Sequence, residues 1–361
     1  MRIIHAQADT QPVCRLIMTD LSKLAHPDSS IQGEKVPGLD EIAAQHMALA
    51  PWVNRTPVFD KIDLMSLGRT TVNFKFELLQ SGGSFKVRGA FSNLLALNDV
   101  QRNAGVTCIS AGNHAIAVSY AAMRLGVDAK VVMLQSAGAV RVELCKKYGA
   151  QIVMADDLTQ AFSMVRDIET EEGRYFVHPF NGYRTVLGTA TLGYEWVTQA
   201  PDLDAVIIPI GGGGLAAGVG TALRLANPRC QIFGVEPMGA DAMSKSFAAN
   251  HTIRMGAMRS IADSLMAPHT EEYSFALCRR HLDQIVIVSD DELRLAMLYL
   301  FEQLKLAVEP ACAAATAALL GPLRETLAGK RVGVLLCGSN IDLQSFESHL
   351  SYAQRLQKVQ N

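Results

Sequence analysis

The chain has 361 residues, 49% hydrophobic and 19% charged, enough for roughly two or three domains with a sizeable buried core. Its 33 Lys+Arg against 35 Asp+Glu give a formal net charge of -2, so no long-range field recruits nucleic acid or an anionic membrane, and a small molecule is the expected partner. The seven cysteines (Cys14, Cys108, Cys145, Cys230, Cys278, Cys312, Cys337) are scattered without a CxxC and read as reduced thiols of a cytoplasmic protein.

Residues 1–38 lack sustained periodicity, end in Gly33, Pro37 and Gly38, and read as an N-terminal extension without the apolar run of a secretory signal. Beyond them, short apolar runs alternate with helical patterns: 107–110 then 115–125, 130–134 then 140–148, 151–154 then 158–169. Strands followed by crossover helices of this length predict a parallel sheet covered on both faces. A second series follows, with a strand at 205–210, a helix at 215–225 and strands at 231–235 and 284–288. The uncharged stretch 205–223 is long enough to span a bilayer, but Pro209 and four glycines interrupt it, so it reads as a buried strand, a turn and a helix start. Ser289 and Glu292 form a capping box ahead of a helix whose apolar residues recur at the 3.6 period. The fold class is therefore α/β, with two parallel-sheet modules and a cleft between them at the carboxyl ends of their strands.

Three strand-to-helix turns carry residues suited to chemistry. Gly211, Gly212, Gly213 and Gly214 let backbone N–H groups converge at a helix N-terminus, which suits a phosphate; a tight packing turn explains them equally well. In Ser84-Phe85-Lys86-Val87-Arg88-Gly89-Ala90, a lysine in the first turn of a helix lies where the dipole disfavours a cation, which helps supply the neutral amine that imine formation needs. The alternative for Lys86 is a solvated surface group. Ser110-Ala111-Gly112-Asn113-His114 offers N–H donors and an amide side chain, or is an ordinary capped helix start with His114 as a satisfied polar residue.

Taken in order with Gly234-Val235-Glu236-Pro237, Glu309-Pro310 and Cys337-Gly338-Ser339-Asn340, these turns resemble the serine/threonine dehydratases among the fold type II pyridoxal-phosphate (PLP) enzymes, over about residues 39 to 350. The resemblance implies a tryptophan synthase beta-like fold, with a large PLP-binding domain of residues 39–105 and 183–361 and a small domain of 106–182. It implies PLP as cofactor, held by Lys86 as a Schiff base, with Phe85 beside the ring, Asn113 on the 3′-oxygen, Gly211 to Gly214 on the phosphate and Cys337 beside the pyridine nitrogen. Ser110, Ala111, Gly112, Asn113 and His114 would frame the substrate carboxylate, and Lys86 would also take the α-proton. The implied activity is catabolic elimination of water from a small β-hydroxy amino acid such as L-threonine or L-serine, giving a 2-oxo acid and ammonia, in a homo-oligomer (dimer or tetramer). Alternatives on the same scaffold are a serine racemase and a dehydratase of 3-hydroxyaspartate or a phenylserine. A different class, a non-catalytic dinucleotide binder, is compatible with the glycine turn alone.

Several positions depart from the family pattern. Gly82 replaces the usual Thr. Relatives with a divalent cation use the Glu of Val-Glu-Pro, a carbonyl four residues on and an acidic residue six on; these positions are Glu236, Ala240 and Ala242, so no metal is expected there. The short tail after Asn340 does not match the long regulatory module of biosynthetic threonine dehydratases, so feedback control is not expected. Ser264, in the substrate-facing loop 260–265, replaces a Gly. Ala111 stands where serine racemases place a Ser that donates the second proton, which favours elimination over racemisation.

Overall fold

The computed structural model describes residues 30–61, 69–135 and 137–360. A two-stranded hairpin, β1 (Ser30–Ile31) and β2 (Glu34–Lys35), precedes α1 (Leu39–Leu49), β3 (Val58–Lys61) and β4 (Thr71–Phe76). Next come α2 (Lys86–Leu94), α3 (Asp99–Ala104), β5 (Val106–Ile109), α4 (Asn113–Leu125), β6 (Ala129–Leu134), α5 (Ala139–Lys147), β7 (Gln151–Ala155), α6 (Leu158–Glu172) and β8 (Tyr175–Phe176). The second half runs α7 (Tyr183–Gln199), β9 (Ala205–Pro209), α8 (Gly214–Ala226), β10 (Gln231–Pro237), α9 (Ala242–Ala249), α10 (Glu272–His281) and β11 (Gln284–Val288). It closes with α11 (Asp290–Leu304), α12 (Pro310–Leu320), β12 (Arg331–Leu336) and α13 (Leu343–Gln360).

The strands form two main sheets. One has the order β7-β6-β5-β8 and is parallel throughout. The other has the order β11-β10-β9-β12-β4-β3, parallel except for β3, which runs antiparallel at the edge. Central strands are apolar because helices cover both faces: every residue of β9 is buried, as are five of the six in β12. The expected α/β architecture with two parallel sheets is what the chain adopts. The periodic strands and helices lie within a few residues of their expected bounds, and Ser289 with Glu292 does make the capping box.

β4 and β12 carry no expectation from periodicity, and β4 shows why. Its Asn73 and Lys75 are fully buried polar residues, which breaks the apolar run. Asn73 accepts from the Trp196 indole at 2.7 Å, while Lys75 reaches Glu195 and the Thr56 carbonyl. Beneath α2, Arg88 forks onto Glu77 at 2.8 and 2.7 Å and touches Glu195 at 3.1 Å, so two cations and two carboxylates share one buried site. Each charge there is matched, which is the condition for keeping it ionised out of water.

Residues 30–38 are docked rather than detached. Tyr273 donates to the Lys35 carbonyl at 2.7 Å, the Tyr183 N–H donates to Glu34 at 2.6 Å, and Ile31 and Val36 pack on the main core. The rest of the expected N-terminal extension, Cys14 included, lies outside the described residues. No helix among the described residues is long and apolar enough to cross a membrane.

Candidate active site

Strand order brings the chemistry-bearing turns together. β9, β12 and β4 are neighbours and run parallel, so their carboxyl ends lie side by side. The tetraglycine turn follows β9, Cys337 follows β12, and β4 leads through the short turn of helix Glu77–Leu79 to Lys86, the first residue of α2. Backbone contacts tie the last two together: Ser84 bridges to Gly338, and Ser339 N–H donates to the Gly83 carbonyl at 2.9 Å. Gly82 and Gly83 sit at φ +81° and +74°, so the Gly at 82 is what this backbone demands, and a Thr would be strained there.

Lys86 Nζ donates to the Pro179 carbonyl and lies 5.3 Å from the centre of the Phe85 ring. Burial lowers its amine to about 8, against the opposing pull of Cys337 and Glu309. An ammonium with a pKa of about 8 releases its proton near neutral pH, as an amine that must attack a carbonyl requires. Lys86 lines one cavity with Phe85, His114, His178, Gly214 and Leu215.

Where Gly214 lines that cavity, α8 begins, with Gly213 at its N-cap and no side chain capping it. Ala217 is the first residue whose N–H bonds back into the helix, to Gly213 at 2.8 Å, so the preceding amides face outward with the positive end of the dipole. The glycines also serve packing. A Cβ on Gly212 or Gly214 would overlap Phe180, and Gly213, at φ +99°, has Met243 Cε 2.5 Å from where its Cβ would be. Both readings of the turn, anion cradle and packing turn, therefore find their geometry here.

Asn113 opens α4, after β5 in the smaller sheet. Its Oδ1 accepts from Asn340 at 2.7 Å and its Nδ2 donates to Glu309 at 2.7 Å. Burial pushes the Glu309 carboxyl up to about 7, with Arg141 opposing, and its Oε2 has no hydrogen-bond partner. Arg141 comes within 3.9 Å of that oxygen but is paired with Asp263, and donates to the Asn340 carbonyl at 3.2 Å. Asp263 and Ser264 lie over the 110–114 loop: a Cβ on Gly112 would be 3.5 Å from Arg141 Nη1 and 3.8 Å from Ser264 Oγ. The loop 260–265 thus faces the residues expected around the carboxylate.

Within that loop, Ser110 Oγ accepts from Gly112 N–H at 3.0 Å. His114 is buried with Nε2 2.8 Å from the Val177 carbonyl, and burial with the nearby Lys86 charge pushes it down to about 3, so it is a neutral, satisfied ring. His178, pushed down to about 3 by the same two causes, accepts from the N–H groups of Phe180 and Asn181 at 3.3 and 3.0 Å. Cys337 is buried; its contact with the Cys312 thiol and its burial raise its pKa far above the usual thiol value, which keeps it neutral. Glu236 accepts from the Met243 and Ser244 N–H groups at 2.9 and 2.8 Å, capping α9, while Asp241 turns to Lys245 at 2.9 Å.

The structure thus brings Phe85, Lys86, His114 and Gly214 of the tetraglycine turn to one cavity, with Cys337 hydrogen-bonded to Phe85 and Asn113 joined through Asn340 to Gly82; Ser110, Ala111 and Gly112 immediately precede Asn113, at the head of α4. Sequence reasoning assigned no role to Glu309, Asn340, Arg141, Asp263 or His178. Glu309, Asn340 and Asp263 stood inside recognisable motifs, which was the available signal; Arg141 carries none, because its partners Asp263 and Asn340 belong to distant segments, and His178 carries none, because the Lys86 beside which it lines the cavity is far from it in the chain.

The family model of pyridoxal-phosphate dependent enzymes matches residues 49–338. A phenylserine dehydratase of Ralstonia pickettii is 65% identical over 315 residues, 87% of this chain and 97% of that protein. An L-threo-3-hydroxyaspartate ammonia-lyase of Saccharomyces cerevisiae is 35% identical over 318 residues, 88% of this chain and 97% of that one. Among solved structures, maize serine racemase superposes with a TM-score of 0.82 at 34% identity, covering 90% of this chain and 99% of that one.

Proposed function

The chain belongs to the family of pyridoxal-phosphate dependent enzymes, and from that premise we propose that it removes water from a β-hydroxy amino acid bearing an aromatic β-substituent, of the L-phenylserine class, releasing a 2-oxo acid and ammonia. It is a PLP-using carbon–oxygen lyase of the serine/threonine dehydratase type, acting on β-hydroxy amino acids. The choice of side chain is the proposal, and 65% identity along nearly the whole of a phenylserine dehydratase carries it. That moves phenylserine ahead of the threonine and serine favoured by the motifs. The site offers a supporting reason: Arg141, the cation beside the 110–114 loop, is already held by Asp263, leaving little free charge for the second carboxylate of 3-hydroxyaspartate.

The residues present fit PLP. An amine lowered to about 8 suits an aldehyde, an uncapped helix N-terminus suits a phosphate, and the Asn113–Glu309 pair offers polar atoms to a ring edge. Lys86 would hold the cofactor through its amine, and the same amine would be the base for the α-proton of the substrate. Gly211 to Gly214 would hold the phosphate, Asn113 the 3′-oxygen and Cys337 the pyridine nitrogen, with Phe85 beside the ring. Bound there, PLP supplies the sink for the electrons of the broken Cα–H bond. Residues 110–114 receive the substrate carboxylate through backbone N–H groups. We take residues 106–182 as the small domain and 39–105 with 183–361 as the large one, closing the cleft over the substrate.

Ammonia release over a panel of L-phenylserine, L-threonine, L-serine and L-threo-3-hydroxyaspartate tests the reading. The aromatic substrate should lead in kcat/KM by about tenfold or more, the worth of a well-buried side chain. A lead by 3-hydroxyaspartate or threonine would overturn the choice of side chain.

A further inference from the structure

An asparagine amide has the same shape whichever way round it lies, yet its two ends do opposite things: one donates, the other accepts. For Asn113 that choice decides what the proposed cofactor's ring oxygen meets. Two groups from distant parts of the chain make it. Asn340, just after β12, donates Nδ2 to Asn113 Oδ1 at 2.7 Å and is itself anchored by a second bond to the Gly82 carbonyl at 2.8 Å. Glu309, just before α12, accepts from Asn113 Nδ2 at 2.7 Å. Reversing the amide would set oxygen against carboxylate and nitrogen against nitrogen, so both bonds would be lost together.

Glu309 is built to stay where it is. It is 1% exposed, and the Gly338 backbone passes so close that a Cβ there would lie 2.7 Å from Oε1. Its other oxygen, Oε2, makes no hydrogen bond. A carboxyl group buried in this way is costly to fold around, so its bond to Asn113 calls for a reason beyond stability. Arg141, held by Asp263, stands 3.9 Å from Oε2 and faces the oxygen that Asn113 does not use.

We propose that Glu309 is a positioning residue: with Asn340 it holds the Asn113 amide so that nitrogen, with its second N–H unspent on Glu309, is the end offered to the 3′-oxygen of the cofactor. This rests on the cofactor placement proposed above. A donor on that oxygen favours its ionised form, and the visible absorption of the holoenzyme reports that ionisation.

The experiment follows the visible band of holoenzyme against pH, together with PLP release on dialysis and the thermal midpoint. Glu309→Gln keeps a carbonyl acceptor for Asn113 and removes only the charge that Lys86 also feels, so its band should be displaced less than in the Leu variant. Glu309→Leu has no acceptor and should displace the apparent pKa of the band by a unit or more and speed PLP release severalfold. The exchanged pair, Asn113→Asp with Glu309→Gln, keeps a hydrogen bond with donor and acceptor reversed. It should recover the thermal midpoint while the band stays displaced. Wild-type titration in Glu309→Leu, equal displacement in the Gln and Leu variants, or full spectral recovery in the exchanged pair would each overturn the positioning role. The exchanged pair and the Gln variant decide the matter even if Glu309→Leu does not fold. A wild-type protein without a visible band that borohydride fixes onto Lys86 would instead bring down the cofactor placement itself.

Discussion

The backbone N–H of Phe85 donates to the carbonyl of Cys337 at 3.1 Å, tying the residue before Lys86 to the end of β12. The Lys86 amine is therefore placed by a neighbouring strand as well as by its own helix. A side chain held in this way meets the demand of a reaction in which a misplacement of about 1 Å costs on the order of a hundredfold in rate.

Lys86→Ala should lower 2-oxo acid release by about 10³ or more, since the variant lacks the amine proposed both to hold the cofactor and to act as base. Steady-state assay alongside circular dichroism checks this. Substantial turnover by a folded variant would mean that another lysine carries the cofactor.

The tetraglycine turn separates packing from anion binding by position. Gly213→Val meets both a φ of +99° and Met243, so it should lose about 1–3 kcal/mol of stability as well as PLP retention. Gly211 has no positive φ, and its added Cβ would lie 3.2 Å from Leu265 Cα, so Gly211→Ala should weaken PLP retention with a smaller loss of stability. Retention after dialysis, measured with thermal unfolding, tells them apart; unchanged retention in both would leave the turn a packing device.

Stability should fall as the solution is acidified. His178 takes a proton only near 3 in the folded chain and near its ordinary 6.5 when unfolded, so between those values the unfolded state binds more protons. The group then contributes a slope of up to about 1.4 kcal/mol per pH unit, with stability decreasing from pH 6.5 downward. His178→Asn keeps an acceptor for the Phe180 and Asn181 N–H groups without the titration. Denaturant melts from pH 7 to 5 should show a shallower slope in the variant; parallel slopes would contradict it.

Arg88→Met should cost about 3–5 kcal/mol, because it leaves Glu77 and Glu195 without their shared cation in a buried site. Chemical denaturation measures this. A loss under 1 kcal/mol would mean that Lys75 alone neutralises both carboxylates.

On the proposed placement, elimination should dominate over racemisation, because an Ala111 methyl cannot donate a proton to the second face of the substrate and a neutral Cys337 thiol would give little support to a protonated ring nitrogen. Chiral analysis of L-serine left after partial turnover should show little D-isomer, and Ala111→Ser should raise that trace. Comparable D-isomer from the unaltered chain would refute the argument.

What the sequence determined by itself was local. Lys86 at the head of a helix, the capping box of Ser289 and Glu292, the glycine turn after an apolar strand and the α/β alternation each depend on residues a few places apart, so they are written where they act. Strand order is a different kind of quantity. β12 comes last in the chain yet sits between β9 and β4, because burying apolar faces against each other is indifferent to distance along the chain. That insertion brings Cys337 beside the Lys86 turn, and it sets Glu309 and Asn340 on either end of the Asn113 amide. β4 escaped notice for the same reason: its buried Asn73 and Lys75 look misplaced until the tertiary fold supplies Trp196 and Glu195 as their partners.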